Sequence, residues 1–206
     1  MFRKLSVDQL RRHFATARAP ASSEYGDEGV RPEAQELKPA SVLVPIVDRS
    51  ADAPGALTML FTRRAAHLKD HSGQVSFPGG RVAAGDASPE ATALREAREE
   101  IGLDPGRVEL LGRMPEYHTR TGFRITPVIG VVMPPVELTP DPNEVEEIFE
   151  VPLAFLLDPA NHRRESREWQ GELRWFFAMP YQGHYIWGAT AGMLVNLYRF
   201  LSQGRL

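Results

Sequence analysis

A glycine-rich loop that runs directly into an acidic helix is the feature that most constrains what this chain can fold into. The helix has clear limits, because Ser88 is a good N-cap, Pro89 suits the first helical position and Gly102 suits the C-terminal stop. The residues between them are mostly strong helix formers, so the sequence predicts a helix over residues 89–101. Its buried stripe is predicted to consist of Ala93, Leu94, Ala97 and Ile101.

The carboxylates of this helix repel one another. Glu96 and Glu100 are four residues apart, which places them on one helix face with their Cβ atoms about 6 Å apart. Near the C-terminal end, their charges also oppose the helix dipole. Arg95 can pair with Glu99, which leaves the other two without an obvious cation, and a hard divalent cation such as Mg²⁺ would relieve both conflicts. The alternative is an ordinary solvated helix face, for which REAREE is a common pattern.

The loop upstream of the helix favours the metal alternative. Gly79 and Gly80 follow Pro78, and residues that lack a side chain let the backbone approach a ligand closely. A loop of this kind that feeds a well-capped acidic helix is the arrangement expected of a phosphate–metal site.

Around this motif the sequence alternates many short strands with few helices, which indicates an α+β or layered α/β/α fold. Strands are predicted at residues 40–48, 56–64, 74–78, 108–114, 124–133, 145–152, 172–181 and 184–188. Further helices are predicted at residues 6–18, 153–158 and 189–203. Pro45 suggests that the first strand is an edge strand or carries a bulge. Because residues 19–39 are rich in Pro, Gly, Ser and charge, we predict an N-terminal helix and flexible linker (1–39) and one domain (40–206).

Composition narrows the classes of function. The net charge of −3 gives no general attraction to nucleic acid or to acidic membranes, and no apolar run is long enough to span a bilayer. The chain has no cysteine, which excludes disulfides, thiolate catalysis and cysteine metal sites. A cytoplasmic protein with no nucleic-acid or membrane partner is the simplest expectation.

The loop and helix together resemble the Nudix box. That pattern reads Gly, five residues, Glu, seven residues, Arg-Glu, an aliphatic residue, any residue, Glu-Glu, any residue, Gly and an aliphatic residue. The matching positions are Gly80, Arg95, Glu96, Ala97, Glu99, Glu100, Gly102 and Leu103. Asp86 stands where the pattern has its first Glu, and eight residues rather than seven separate it from Arg95. Both departures fall in the loop, so the metal-binding half is intact and the role of Asp86 is left open.

The segment LFTRRAAHLKDHSGQVSFPGG (residues 60–80) is similar to the signature of the Nudix subfamily that hydrolyses coenzyme A. The matching positions are Leu60, Thr62, Arg63, Arg64, Ala65, Leu68, His71, Gly73, Gln74, Val75, Phe77, Pro78, Gly79 and Gly80. The resemblance implies a Nudix-type α/β/α sandwich with a mixed central sheet and a loop–helix–loop motif. It also implies hydrolysis of the diphosphate of coenzyme A, or of an acyl or oxidised form, to 3′,5′-ADP and 4′-phosphopantetheine.

The resemblance implies a metal site in the second half of the box. Mg²⁺ or Mn²⁺ would be bound by Glu96 and Glu100, with help from Glu99 and from the backbone carbonyl of Gly80. Arg95 would orient a neighbouring glutamate. These assignments make the predicted protein a metal-dependent hydrolase.

The catalytic base and the arginine that reads the substrate are left open. Glu99, Glu144 and Glu147 are the candidate bases, and plain surface charge is the alternative for the last two. Arg63 and Arg64 could bind the 3′-phosphate of coenzyme A, because a forked cation suits a phosphate. One of these two arginines is expected to face solvent at the strand end.

Two polar residues of the loop have two interpretations each, and the function as a whole has two alternatives to coenzyme A hydrolysis. His71 and Gln74 either donate hydrogen bonds to the substrate or brace the loop. The aromatic residues of the C-terminal half are expected in the core or at a homodimer contact rather than around an adenine. The alternative functions are a Nudix pyrophosphatase for ADP-ribose or an oxidised nucleotide, and a non-catalytic nucleotide-binding domain.

Overall fold

The computed structural model describes residues 5–17, 37–53, 56–68, 71–169 and 171–203. The helices in this part of the chain are α1 (Val7–Thr16), α2 (Pro89–Ile101), α3 (Leu153–Leu156) and α4 (Gly188–Gln203). The strands are β1 (Lys38–Asp48), β2 (Leu57–Arg64), β3 (Val75–Ser76), β4 (Gly79–Arg81), β5 (Val108–Arg113), β6 (Tyr117–His118), β7 (Phe123–Val132), β8 (Val145–Pro152), β9 (Arg163–Trp169), β10 (Glu172–Tyr181) and β11 (His184–Trp187).

The predicted helix at residues 89–101 is confirmed, together with its caps. Ser88 accepts a hydrogen bond from the backbone N–H of Ala91, and Gly102 ends the helix in the left-handed conformation. The other predicted helices and strands are also present, with small shifts at their ends. The strands β4, β6 and β9 were not predicted, and most of the predicted linker at residues 19–39 lies outside the described residues.

The central sheet has eight strands and opens in its middle. β1 pairs in parallel with β7 along nearly its whole length. On its other edge β1 pairs with β4 at residues 40–42 and with β2 at residues 46–48. Since β1 and β2 separate beyond that contact, β3 and β4 fill the opening between them, and this is where the glycine-rich loop lies.

Pro45 lies at the point where β1 changes partners, between the residues that pair with β4 and those that pair with β2. The prediction that it marks an edge strand is wrong, because β1 has a neighbour on both sides. A proline is tolerated in a sheet where a regular ladder is interrupted. The interruption makes room for the loop.

Two hydrophobic clusters cover the two faces of the central sheet. On one face α2 packs with Ala93, Ala97 and Ile101 over Leu43 and Leu60. On the other face α1, α3, α4 and the three-stranded sheet β11-β10-β9 enclose the larger cluster. The predicted α+β class and α/β/α sandwich with a mixed sheet are therefore confirmed.

The N-terminal helix α1 packs on the same core. Leu10 is fully buried, and the ring Nε2 of His13 lies 3.0 Å from the backbone oxygen of Phe200 in α4. Arg11 forms ion pairs with Asp8 and with Glu109 of β5. The domain boundary at residue 40 stays a prediction. Among the described residues, no helix is both long and apolar enough to cross a bilayer.

Candidate active site

The opening between β1 and β2 brings two glycines against the acidic face of α2. The backbone N–H of Gly79 donates a hydrogen bond to Oε2 of Glu100, at 3.1 Å. A Cβ atom at Gly80 would lie 2.5 Å from Oε1 and 2.6 Å from Oε2 of Glu96. The loop therefore needs glycine at position 80 because the carboxylate of Glu96 occupies the space of a side chain.

The buried face of α2 includes Glu100, which was not in the predicted stripe. Its exposure is 5%, whereas Leu94 is only partly buried, so the predicted buried stripe is wrong at that position. The buried carboxylate is stabilised there by the N–H donor of the neighbouring Gly79. A buried carboxylate of this kind is normally hydrogen-bonded or bound to a cation.

The pKa of Glu100 is raised to about 8, mainly by burial and to a smaller extent by the negative charges of Glu144 and Glu96. The hydrogen bond from Gly79 and the positive charge of Arg64 act in the opposite direction. Burial is also the main cause that raises the pKa of Glu96. Two carboxylates that are difficult to ionise side by side form a site that an added cation would stabilise.

Arg95 links the loop to the helix. Its Nε and Nη2 atoms donate hydrogen bonds of 2.9 Å to the two carboxylate oxygens of Asp86. Its Nη1 atom lies 2.8 Å from Glu99 Oε2 and 2.9 Å from Glu96 Oε1. The predicted pair with Glu99 is therefore present. The expectation that Glu96 has no cation beside it is wrong, because Arg95 contacts it directly.

Asp86 has a defined structural place, which the sequence analysis left open. Besides Arg95, it accepts hydrogen bonds from the backbone N–H of Ala83 and from the hydroxyl of Thr92. The Arg95 guanidinium is the main cause that holds the pKa of Asp86 well below its usual range. Asp86 thus anchors the loop to α2, although it lies one residue further from Arg95 than the acidic residue of the Nudix pattern does.

The donor set fits a hard divalent cation. Glu96 and Glu100 contribute carboxylate oxygens on one helix face, next to the peptide of Gly80, and oxygen ligands of this type suit Mg²⁺ and Mn²⁺. No three His, Asp or Glu side chains converge as a ready-made cluster within the described ranges. Glu99 instead points to Arg95 and is more than half exposed.

The three candidate bases lie in different surroundings. Glu99 is tied to Arg95. Glu144 is exposed, and its charge acts on the pKa of both Glu96 and Glu100, so it lies near them. Glu147 is engaged with Arg63 at 3.0 Å and with His184 at 3.2 Å.

The neighbouring arginines Arg63 and Arg64 have different partners. Arg63 forms ion pairs with Glu146 and Glu147 of β8. Arg64 follows a register shift in the β2–β8 ladder, and its positive charge acts on Glu100. Arg63 therefore links β2 to β8, whereas the charge of Arg64 is directed at the carboxylate of Glu100 in α2.

The loop residues His71 and Gln74 contact each other. The Nδ1 atom of His71 lies 2.6 Å from Oε1 of Gln74, and the backbone of His71 has a positive φ of 58°. The backbone of Arg64 accepts from Gly73 N–H and donates to Gln74 O, which joins the end of β2 to this loop. The two halves of the 60–80 segment therefore fold into one unit beside α2.

One residue next to the site was missed by the sequence analysis. His184 of β11 stacks on Phe149 with ring centroids 3.7 Å apart and contacts Glu147. The stretch HYIW reads as an ordinary strand, so no local signal marks this histidine. Only the packing of the small sheet against β8 brings it here.

Comparisons with known proteins agree with this architecture. The sequence pattern described as the NUDIX domain matches residues 37–173. The Nudix hydrolase NudL of Enterobacter sp. strain 638 is 40% identical over 163 residues, which cover 77% of this chain and 80% of that protein. NudL of Escherichia coli strain K12 / DH10B is 35% identical over 196 residues, 95% of each chain. The crystal structure of the M. smegmatis Nudix hydrolase RenU shares the fold, with a TM-score of 0.52, 19% identity and coverage of 82% of this chain and 89% of that one.

Proposed function

The chain belongs to the NUDIX domain family, and from that premise we propose that it hydrolyses the diphosphate of coenzyme A with the help of Mg²⁺ or Mn²⁺. The coarser activity follows from the family itself, since its members are pyrophosphohydrolases that use divalent metals. The products would be 3′,5′-ADP and 4′-phosphopantetheine. The substrate is thus a small molecule.

The observation that carries the proposal is the contact of two helix carboxylates with two consecutive glycines. Glu100 is buried against the N–H of Gly79, and Glu96 lies against Gly80. These two carboxylates, with the Gly80 carbonyl, would hold the cation. When bound, a divalent cation neutralises charge on a diphosphate and lowers the pKa of bound water.

The remaining residues of the site would orient these ligands and accept a proton. Arg95, fixed by Asp86, holds Glu96 and Glu99 in position. We assign the general base to Glu144, because its charge acts on both Glu96 and Glu100 while Glu99 and Glu147 are engaged in ion pairs. Glu144 would take the proton of the water that attacks one phosphorus as the bridging P–O bond breaks.

The 60–80 unit supports coenzyme A as the substrate. The hydrogen bonds between Arg64, Gly73 and Gln74 join the end of β2 to the loop beside α2. We assign recognition of the 3′-phosphate to Arg64, because Arg63 is already paired with Glu146 and Glu147. His71 and Gln74, which hold each other, would keep the loop in shape beside the substrate.

The experiment that tests the substrate compares kcat/KM for coenzyme A, ADP-ribose and oxidised dGTP, with products identified chromatographically. Coenzyme A should be preferred and give the two products above. A marked preference for ADP-ribose or for oxidised dGTP would contradict the assignment. No turnover of any of the three with Mg²⁺ or Mn²⁺ would instead support a non-catalytic domain.

A second comparison tests the role of Arg64. Dephospho-coenzyme A has the same diphosphate and lacks only the 3′-phosphate, and a charge-assisted hydrogen bond contributes about 1.5–3 kcal/mol. The wild-type enzyme should therefore prefer coenzyme A by about ten- to a hundredfold. Arg64→Ala should make the two substrates nearly equal, whereas Arg63→Ala, the matched control, should keep the preference. Equal kcat/KM values in the wild type would refute phosphate recognition by this strand end.

A further inference from the structure

The small sheet presents one long edge strand, β9, to solvent. Within the described residues β9 pairs only with β10, and six of its seven residues are exposed. Trp169 at its end is 51% exposed. An edge strand of this length carries backbone N–H and C=O groups that can pair with a further strand. The sequence of β9, RRESREW, indicates which strand would pair with this edge.

The sequence of β9 is complementary to itself in the antiparallel direction. With Ser166 opposite Ser166 of a second copy, Arg164 faces Glu168 and Glu165 faces Arg167. Each of these pairs occurs twice, because a two-fold axis relates the copies. Opposite charges that face each other across an antiparallel pair stabilise it. The two residues of each ion pair stand directly opposite each other, so their side chains lie on the same face of the joined sheet.

Neighbouring symmetric registers lack this property. A two-fold antiparallel pairing sets one residue opposite its own copy, so moving the centre by one residue sets Glu165 opposite Glu165 or Arg167 opposite Arg167. Like charges in these positions destabilise the pair. The register centred on Ser166 also sets Arg163 opposite Trp169, where a guanidinium can lie over the indole ring.

Inside the chain, Glu165 accepts a hydrogen bond from Tyr185 and Arg164 lies over the Trp175 ring, but the other two charges of these pairs have no opposite charge across the ladder. Across the ladder to β10, Arg167 stands opposite Arg174, and Glu168 stands opposite Leu173. Charges on an edge strand usually repel a second copy and so prevent aggregation. Here the order of the charges has the reverse effect, because the strand attracts its own copy in one register.

We propose that β9 pairs with β9 of a second copy of this chain, centred on Ser166, so that the two small sheets form one six-stranded sheet in a homodimer. The interface joins the copies through backbone hydrogen bonds, and the charges fix the register. Since the ion pairs lie at an exposed edge, added salt weakens the dimer.

Charge reversal tests the register by sedimentation velocity over a range of protein concentrations. Glu168→Arg should weaken the dimer at least about tenfold, because both symmetry-related pairs become repulsive at once. Arg164→Glu should do the same, although it also removes a cation–π contact with Trp175. The double variant R164E/E168R should restore the dimer, since the two charges have exchanged places. The two single variants, each monomeric alone, should form a heterodimer when mixed.

Glu137→Arg is the matched control, because it makes the same charge change at an exposed position in the loop after β7. It should leave the dimer unchanged. A wild-type chain that stays monomeric throughout the concentration series would overturn the proposal. So would a dimer that persists in the Glu168 variant, or single variants that neither the double exchange nor mixing rescues.

Cross-linking tests the same register without changing charge. The chain has no cysteine, so Ser166→Cys introduces a single thiol that faces its own copy. Directly opposed Cα atoms in antiparallel strands are about 4.5 or 5.5 Å apart, and both distances suit a disulfide. Under mild oxidation this variant should become a covalent dimer much faster than Ser50→Cys, an exposed control on the β1–β2 loop. Equal rates for the two variants would contradict the pairing.

Discussion

Gly80→Ala should separate catalysis from folding at this site. The added Cβ atom would lie 2.5 Å from the Glu96 carboxylate, and an ordinary contact needs about 3.4 Å, so the carboxylate must move by roughly 0.9 Å. A misplacement of about 1 Å in an active site can lower the rate about a hundredfold. Because Glu96 is the flexible end of a side chain, the stability of the fold should change little. The assay is kcat/KM for coenzyme A as a function of Mg²⁺ concentration, with thermal denaturation measured in parallel.

Two nearby glycines provide controls for this prediction. A Cβ atom at Gly79 would lie 2.5 Å from the backbone oxygen of Ser41 and 2.6 Å from Cα of Val42, so Gly79→Ala should lower stability as well as activity. Gly85 has no atom within 4 Å of the same position, and Gly85→Ala should be close to neutral. Wild-type activity of the Gly80 variant at limiting Mg²⁺ would refute the role of Glu96 in binding the cation.

Four further outcomes are expected. Excess chelator should abolish turnover, and Mg²⁺ or Mn²⁺ should restore it; full activity in chelator would contradict the metal site. Glu100→Gln should lower turnover by more than the 10–100-fold usual for residues that only orient ligands. It should also raise the melting temperature of the metal-free protein at neutral pH, because glutamine is neutral without the proton that the raised pKa of Glu100 makes the folded protein take up. Glu144→Gln should lower kcat at saturating metal far more than Glu147→Gln. The reverse order would assign the general base to Glu147 instead. A hydrogen bond from Arg113 is the main cause that lowers the pKa of Glu90 from 4.5 to about 2; the unfolding free energy should fall as the pH drops through that range, and Glu90→Gln should flatten the fall in acid denaturation curves.

The limits of α2 were determined by the sequence alone. Ser88, Pro89 and Gly102 act within one turn of the backbone, so their effect does not depend on distant residues. The i, i+4 geometry of a helix likewise placed Glu96 and Glu100 on one face before any tertiary contact was known. Local patterns of this kind predict helices and strands, and the spacing of the box residues predicted the family.

Tertiary packing decided which of these residues are buried and what they contact. Glu100 rather than Leu94 enters the buried face, because the loop places the N–H of Gly79 beneath it. Asp86 reaches Arg95 although it lies one residue further away than the Nudix pattern has, because the loop folds back onto the helix. Such contacts depend on the path of the chain in space, which local residue preferences do not contain.

The edge strand β9 also shows which features depend on the sequence and which depend on the tertiary structure. Its residues, RRESREW, carry no alternating apolar pattern, so the sequence analysis had no signal for a strand there. β9 is a strand because β10 provides a ladder of hydrogen bonds. The order of its charges was present in the sequence, but the meaning of that order depends on its position at the edge of a sheet, because only there can each charge face its counterpart on a second copy.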